Sequence, residues 1–296
     1  MSSVLFDAPG PRARRRIRLV NLVGALVVLG VLAWVVAGLA RQGQFTPQRW
    51  QPFLETSIWL DYLALGLWNT VRAAAISVVT SLVFGLVFGL GRLTHLAPVR
   101  WLCGVVVEFF RSIPVLVMMI FFYGFLAGLD IVEPAQAPFV AVVLGLTLYN
   151  GSVIAELVRS GVHNLPKGQR EAGLAIGLTP ARSRRIVELP QALIAMMPSL
   201  VSQLVVILKD TALGQIISYS ELLRSTQIAS TAFSNVIPAF IVAALIYIVI
   251  NFGLTSFAGR LARRLDRRTA GTTRPAAVGT AAAGLGGSAG PEAARP

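Results

Sequence analysis

The chain has 296 residues, 55% of them hydrophobic and only 13% charged, with a mean hydropathy of +0.71. A soluble domain carries about twice that charged fraction, so a water-soluble globule is excluded. The formal net charge of +13 does not point to nucleic acid, because the basic residues sit beside the apolar runs, the footprint of membrane orientation.

Apolar runs recur that reach the roughly 20 residues needed to cross a bilayer. They are continuous rather than alternating, which argues against an outer-membrane barrel. The expected class is all-α: a polytopic helical membrane protein with about six transmembrane helices. Cys103 is the only cysteine, so no intrachain disulfide can form.

Residues 1–16 form a basic N-terminus carrying Arg12, Arg14, Arg15 and Arg16, with Arg18 just beyond. The first apolar run, Ile17–Ala40, is longer than the core of a signal peptide and no small-residue cleavage site follows it. It is expected to be a retained span, and with an external linker through residue 60 it makes an extra first unit. The remaining expected spans are Ala73–Leu90, Leu102–Leu129, Pro138–Val158, Gln191–Ser218 and Val236–Ala258. They fall within one transmembrane domain over residues 61–268. Pro114 and Pro198 predict kinks or breaks in the third and fifth spans, since proline frees a backbone carbonyl and bends a helix. Residues 269–296 are rich in Ala, Gly and Pro and are expected to form a disordered cytoplasmic tail.

Twenty of the 26 Lys and Arg residues fall in the N-terminus, the loops after the second and fourth spans, and the C-terminal region. The other loops hold only Arg41, Arg49 and Arg224. The basic side faces the cytoplasm, so both termini are expected there, in a multi-pass membrane protein.

The most hydrophilic long internal stretch, "KGQREAGLAIGLTPARSRRIVELPQA", runs from Lys167 to Ala192 on that side. It predicts a helix-turn-helix. Gly177 suits the left-handed residue that ends a helix, Thr179 suits an N-cap and Pro180 the first helical position. Neither helix is long enough to stand alone in water, so each must pack on something. Composition alone also fits an interfacial loop held at the headgroups by Arg182, Arg184 and Arg185.

The order of residues adds more. Glu171-Ala172-Gly173, three residues, Gly177, nine residues, Val187, one residue and Leu189-Pro190 resembles the EAA signature of permease subunits of ABC importers. Gly173 replaces the second Ala of that signature and Val187 its Ile. "GLWNT" (Gly66–Thr70), "FFRSIPVL" (Phe109–Leu116), "AELVRSGVHNLPKGQREA" (Ala155–Ala172) and "LKDTAL" (Leu208–Leu213) are similar to the polar-amino-acid branch, and "LYNGSVIAE" and "KDTALG" to glutamate-type permeases. The resemblance spans about Leu65 to Gly259 and leaves out the first span and the tail.

It implies a membrane subunit of an ATP-driven importer for polar amino acids, in the bacterial cytoplasmic membrane. Its helix-turn-helix is then a coupling element that docks on a cytoplasmic ATPase dimer through Glu171, Ala172, Gly173 and Gly177. It also implies an extracytoplasmic solute-binding protein and a second permease, either a paralogue or another copy. The sequence contains no G-x-x-x-x-G-K-[S/T] loop. No cofactor is therefore expected in this chain, which is not itself an enzyme; ATP and Mg belong to the partner ATPase. Lipid is the expected surround, and no nucleic-acid partner is expected.

Ionisable residues within spans are costly and usually face a partner or an aqueous path. Lys209 and Asp210 lie in the outer half of the fifth span. They are either a self-neutralising interfacial pair or contacts for a zwitterionic amino acid. Tyr149, Asn150 and Ser152, near mid-depth of the fourth span, either bond a neighbouring helix or line the path. Glu108 with Arg111 and Glu156 with Arg159 are spaced to pair along one helix face. His95 and His163 lack metal-ligand spacing, and no metal site is expected. The alternative function is an ion-gradient-driven secondary amino-acid transporter, with Glu156 as its best candidate ion site. An intramembrane enzyme finds no supporting constellation.

Overall fold

The computed structural model describes residues 10–129 and 132–270, so nearly all of the expected 269–296 tail lies outside the described residues. The first helix, α1 (Pro11–Arg41), starts six residues before the apolar run. Pro11 occupies its first turn, where no backbone donor is needed, and the arginines are good helix formers. No residue of α1 is buried. Two short helical turns follow, α2 (Pro47–Trp50) and Gln51–Leu54, within the expected linker. They are pinned by the Trp50 indole on the Gln44 carbonyl (3.0 Å) and the Trp59 indole on the Phe53 carbonyl (2.8 Å).

The second span, α3, is one helix over Ile58–Arg92, π-wound across Ile58–Ala64. It begins well before the expected Ala73. Asp61, Asn69, Thr70 and Arg72 mask its start in the sequence, but Thr70 finds a partner within the helix and Asn69 one on a distant segment. Thr70 Oγ1 donates to the Gly66 carbonyl (3.1 Å), and Asn69 Nδ2 donates to the Ser220 carbonyl (2.8 Å).

The expected third span is broken in two. Helices α4 (Ala97–Ser112) and α5 (Val115–Gly128) meet at 98°. Pro114 pushes Ile113 out of the helical region to φ −92, ψ 128, and is itself extended. The bend predicted from Pro114 is therefore a near right angle. Among the described residues five helices are long and apolar enough to cross a bilayer, or six if α4 and α5 count as one broken span.

Helix α6 (Ala137–His163) packs along α3 with small residues between the two backbones. A Cβ at Gly85 would meet Ile154, one at Gly89 would meet Val158, and one at Gly151 would meet Phe84. Such close approach is how helices gain dispersion where lipid removes the hydrophobic drive between them. Thr80 and Thr147 add a hydroxyl pair across this seam at 2.6 Å.

After α6 come α7 (Lys167–Ala175), α8 (Pro180–Ser183), a π-wound turn (Arg184–Glu188) and α9 (Leu189–Ala195). The fifth span then breaks at Met196 (φ −93, ψ 1), and Pro198 sits in the first turn of α10 (Met197–Asp210) rather than inside a helix. A tighter turn carries α10 on to Ile217. Helix α11 (Leu222–Ala232) follows, and α12 (Val236–Ala270) is the last span.

The buried apolar side chains form two clusters. One, around Met119, Leu146, Ile207 and Tyr219, joins α5, α6 and α10 at the end remote from α7. The other, around Leu93, Val158, Val162, Ala192 and Met196, ties the ends of α3 and α6 to α9. The second cluster is the base on which the segment 167–195 stands.

Candidate functional site: an elbow at one end of the bundle and a cavity within it

The segment 167–195 forms a rigid elbow. Helix α7 ends in two backbone bonds, Leu178 N–H to the Gly173 carbonyl (3.1 Å) and Gly177 N–H to the Leu174 carbonyl (3.0 Å). This is the paired closure that needs a left-handed residue, and Gly177 supplies it at φ +82. Thr179 Oγ1 then accepts from the Arg182 N–H at 3.4 Å and Pro180 opens α8, so the cap foreseen in the sequence is present. Gly173 is buried against Ser183, which brings the two arms into contact. Ser183 donates to Glu188 Oε1 at 3.2 Å, and Glu188 is 7% exposed. Glu171 and Ala172 point outward, with Leu174 and Ile176 exposed beside them.

One bond locks the two ends of the elbow together, and two ties bind it to the spans. Gln191 donates to Gln169 at 3.0 Å, joining α9 to α7. The Arg184 guanidinium donates to the carbonyl of Leu93, the residue that ends α3. Gly161 of α6 lies against the Met196 side chain. A movement of the elbow therefore reaches α3, α6 and α10 without passing through a flexible loop.

Beside the elbow lies a chain of charges. Arg92 of α3 bonds Glu156 of α6 at 2.8 Å and Glu108 of α4 at 3.2 Å. Glu108 also holds Arg111 (2.9 Å), and Glu156 holds Arg159 (2.6 Å). The two same-helix pairs read from sequence exist, and Arg92 joins them into one network across three helices. With two arginines on it, Glu156 is not free to serve as an ion site.

Deeper in the bundle, Gln203 of α10 donates to Asn150 Oδ1 at 2.5 Å, while Asn150 Nδ2 donates to the Leu146 carbonyl at 3.0 Å. Asn150 is fully buried and bonds a neighbouring helix. Ser152 is also fully buried, and its hydroxyl has no hydrogen-bond partner. Tyr149 is half-buried beside them.

A cavity of about 720 Å³, open on one side where Ile248 and Phe252 are exposed, lies between α10, α11 and α12. Its wall is mostly apolar, with Lys209, Tyr247, Asn251 and Thr255 as polar points. Asn251 Nδ2 donates to the Tyr247 carbonyl (2.6 Å), and its buried Oδ1 has no partner. Of the residues singled out in the sequence, Lys209 lines this cavity. Tyr149, Asn150, Ser152 and Asp210 do not, and Asp210 is half-buried elsewhere on α10.

Glu221, which the sequence did not single out, supports the cavity from behind. It is fully buried and caps α11, accepting from the N–H groups of Leu223 (2.8 Å) and Arg224 (2.7 Å) and from the Tyr247 hydroxyl (2.8 Å). Burial pushes its carboxyl above the ordinary value, while the Leu223 and Arg224 N–H groups and the Tyr247 hydroxyl pull the other way. Glutamate is not among the residues that mark a helix cap in sequence, so the cap on "LLRSTQIASTA" emerges only from the structure.

Comparison with known proteins shows the family of the chain. Residues 81–267 match the family described as "Binding-protein-dependent transport system inner membrane component". Over 227 residues the chain is 47% identical to the glutamate transport system permease protein GluD of Corynebacterium glutamicum, covering 77% of this chain and 83% of that protein. It is 34% identical over 205 residues to the probable glutamine ABC transporter permease protein GlnP of Bacillus subtilis, covering 68% and 93%. An amino acid ABC transporter crystallised with histidines superposes with a TM-score of 0.65 at 26% identity, over 72% of this chain and 98% of that one. The family match begins within α3, so α1 lies outside it.

Proposed function

Because the chain belongs to the family of binding-protein-dependent transport system inner membrane components, we propose that it is the membrane-spanning permease subunit of an ATP-driven importer of polar amino acids, with glutamate as its substrate. The observation that carries the mechanism is the elbow: two short arms locked at Gly177 and tied to α3 and α6. A lever of this kind is useful only if something outside the bundle moves it.

That mover is a cytoplasmic ATPase dimer, which binds the ATP and Mg that this chain has no phosphate loop to hold. Both termini and the elbow face the cytoplasm, on the side where basic residues collect. Glu171 and Ala172 are exposed and supply the polar and close-packing contacts to the ATPase. Gly173 lets the first arm ride directly on Ser183, and Gly177 fixes the angle between the arms. Closure of the ATPase pair pushes the elbow. The push passes through Arg184 to α3 and through Gly161 and Met196 to α6 and α10.

Residues 61–268 are the transport unit, and α1 stands apart from it as an accessory span. A second permease subunit, paralogous or identical, completes the path, and an extracytoplasmic binding protein delivers substrate. Lys209 offers a cation to a substrate carboxylate in a cavity large enough for an amino acid. The glutamate assignment is supported by the likeness to GluD.

Reconstitution with the ATPase and binding protein in proteoliposomes tests this. ATP inside, with glutamate offered outside, is expected to give uptake that stops when the ATPase is omitted. Uptake that persists on an ion gradient alone would overturn the reading.

A further inference from the structure

A second, smaller cavity of about 230 Å³ opens inside the elbow, where α6 ends and α7 begins. Its wall holds three cations, the exposed Lys167 and Arg170 and the half-buried Arg184, against one carboxylate, Glu188. That carboxylate is already engaged by Ser183. His163 and Gln169 complete the polar lining. His163 Nδ1–H donates to the Arg159 carbonyl at 2.8 Å, which fixes the ring in the wall.

Several observations converge on an anion. The Arg184 Nε is buried and has no hydrogen-bond partner, although its guanidinium also donates to the Leu93 carbonyl. A buried donor left unpaired is costly and rare. The nine-residue helix α7 opens on this cavity with neither a side-chain cap nor an acidic residue in its first turn. Its positive end therefore adds to the lysine and arginines rather than being neutralised by the chain. None of the ion pairs found among the described residues involves Lys167, Arg170 or Arg184.

The donors approach from two elements: Lys167 and Arg170 one turn apart on α7, and Arg184 in the turn after α8. A planar carboxylate is satisfied by one fork. Donors set around a small volume suit a tetrahedral oxyanion.

We propose that this cleft is a binding site for a phosphate group, held by Lys167, Arg170 and Arg184 at the joint between the elbow and the spans. Free inorganic phosphate and the headgroup of an anionic phospholipid share that chemistry. An occupant would join α7 to the turn after α8 and so stiffen the elbow. The inference rests on the cleft alone, so it stands or falls separately from the transport assignment.

The test uses the full-length chain in nanodiscs, without an ATPase that would bind phosphate itself. In phosphatidylcholine discs, inorganic phosphate is titrated against chloride at matched ionic strength, and thermal stability is read. In a parallel arm, phosphatidylglycerol is included and the lipid retained through purification is counted by mass spectrometry. Lys167→Gln with Arg170→Gln is the main variant, because both side chains are exposed and neither bonds another part of the fold. Arg184→Lys is the second, keeping the charge while removing Nε.

A saturable upward shift with phosphate, weakened about tenfold in the double variant, supports a free-phosphate site. Phosphatidylglycerol retained by the parent and lost from the double variant supports the headgroup as the source. Equal behaviour of parent and double variant in both arms would overturn the proposal.

Discussion

A methyl group at position 173 would come within 2.4 Å of the Ser183 hydroxyl oxygen. Gly173 is where this chain departs from the second alanine of the signature it resembles, and Ser183 is its neighbour on the other arm. The hydroxyl fills the space a methyl would occupy and uses that position to reach the buried Glu188. The glycine and the serine are therefore one feature, and neither can be changed without the other.

Gly173→Ala is expected to force the serine off Glu188. Stranding a buried carboxylate costs about 1–3 kcal/mol. The better helix propensity of alanine returns at most about 1 kcal/mol. The single variant should melt lower than the parent. In a double-mutant cycle with Ser183→Ala, the added loss from Gly173→Ala should shrink, since the contact at 2.4 Å is gone and only the tighter-than-usual one to the residue 183 Cβ, at 3.1 Å, remains. Strictly additive losses would show that the two positions are independent.

Gly177→Ala tests the turn. A side chain in the left-handed region costs roughly 1–2 kcal/mol. At φ +82 the substitution should loosen the joint between the arms while leaving the spans intact. Uptake per ATP hydrolysed should fall more than melting temperature does. Gly168→Ala is the matched control, because open space surrounds that position and its φ is not positive. It should be neutral or slightly stabilising. Equal coupling losses in the two variants would remove the special role of Gly177.

The elbow was readable in the sequence because its chemistry is local. Gly177 closes the helix just before it, Thr179 caps the helix just after, and each acts within five residues. Pro114 was readable for the same reason, since its effect falls on Ile113. The bridging role of Arg92 was not, because it needs α3, α4 and α6 to be in place first. Gln203 on Asn150 and Tyr247 on Glu221 likewise join residues far apart in sequence. The early start of α3 was hidden by polar residues whose partners lie on distant segments, as with Asn69 and Ser220.

Arg92 should matter through one of its two partners. Glu108 is 49% exposed at the side chain, so that arm is screened and contributes below about 1 kcal/mol. Glu156 is 21% exposed and its bond is shorter, so about 1–2 kcal/mol is expected there. A cycle of Arg92→Gln with Glu156→Gln should therefore show larger coupling than one with Glu108→Gln. The reverse order would mean that the network is anchored on α4 rather than on α6.

Glu221 predicts a pH dependence with a definite sign. Burial raises its folded-state pKa, so the folded chain holds that proton more tightly than the unfolded chain does. The stabilisation from proton binding is full below the unfolded value, about 4.3, and is lost as pH rises through the raised folded value. Glu221→Gln keeps a side-chain acceptor at the cap and removes the titration. Across that window, melting temperature should decline with pH more steeply in the parent than in the variant. Parallel curves would show that the carboxyl does not titrate over this range.

Lys209 and Asp210 are adjacent in sequence but face different surroundings, and only the lysine lines the 720 Å³ cavity. If the cavity belongs to the substrate path, the two residues separate in function. Lys209→Gln removes a charge-assisted partner for a carboxylate, and uptake at low substrate should drop about tenfold. Stability should hardly change, within about 0.5 kcal/mol, because the lysine is exposed and none of the ion pairs among the described residues involves it. Asp210→Asn should leave substrate dependence near that of the parent. Initial uptake rates across glutamate concentrations, with each variant reconstituted beside its ATPase, distinguish the cases. A larger loss from Asp210→Asn than from Lys209→Gln would move the path to the other face of α10 and leave the cavity facing lipid.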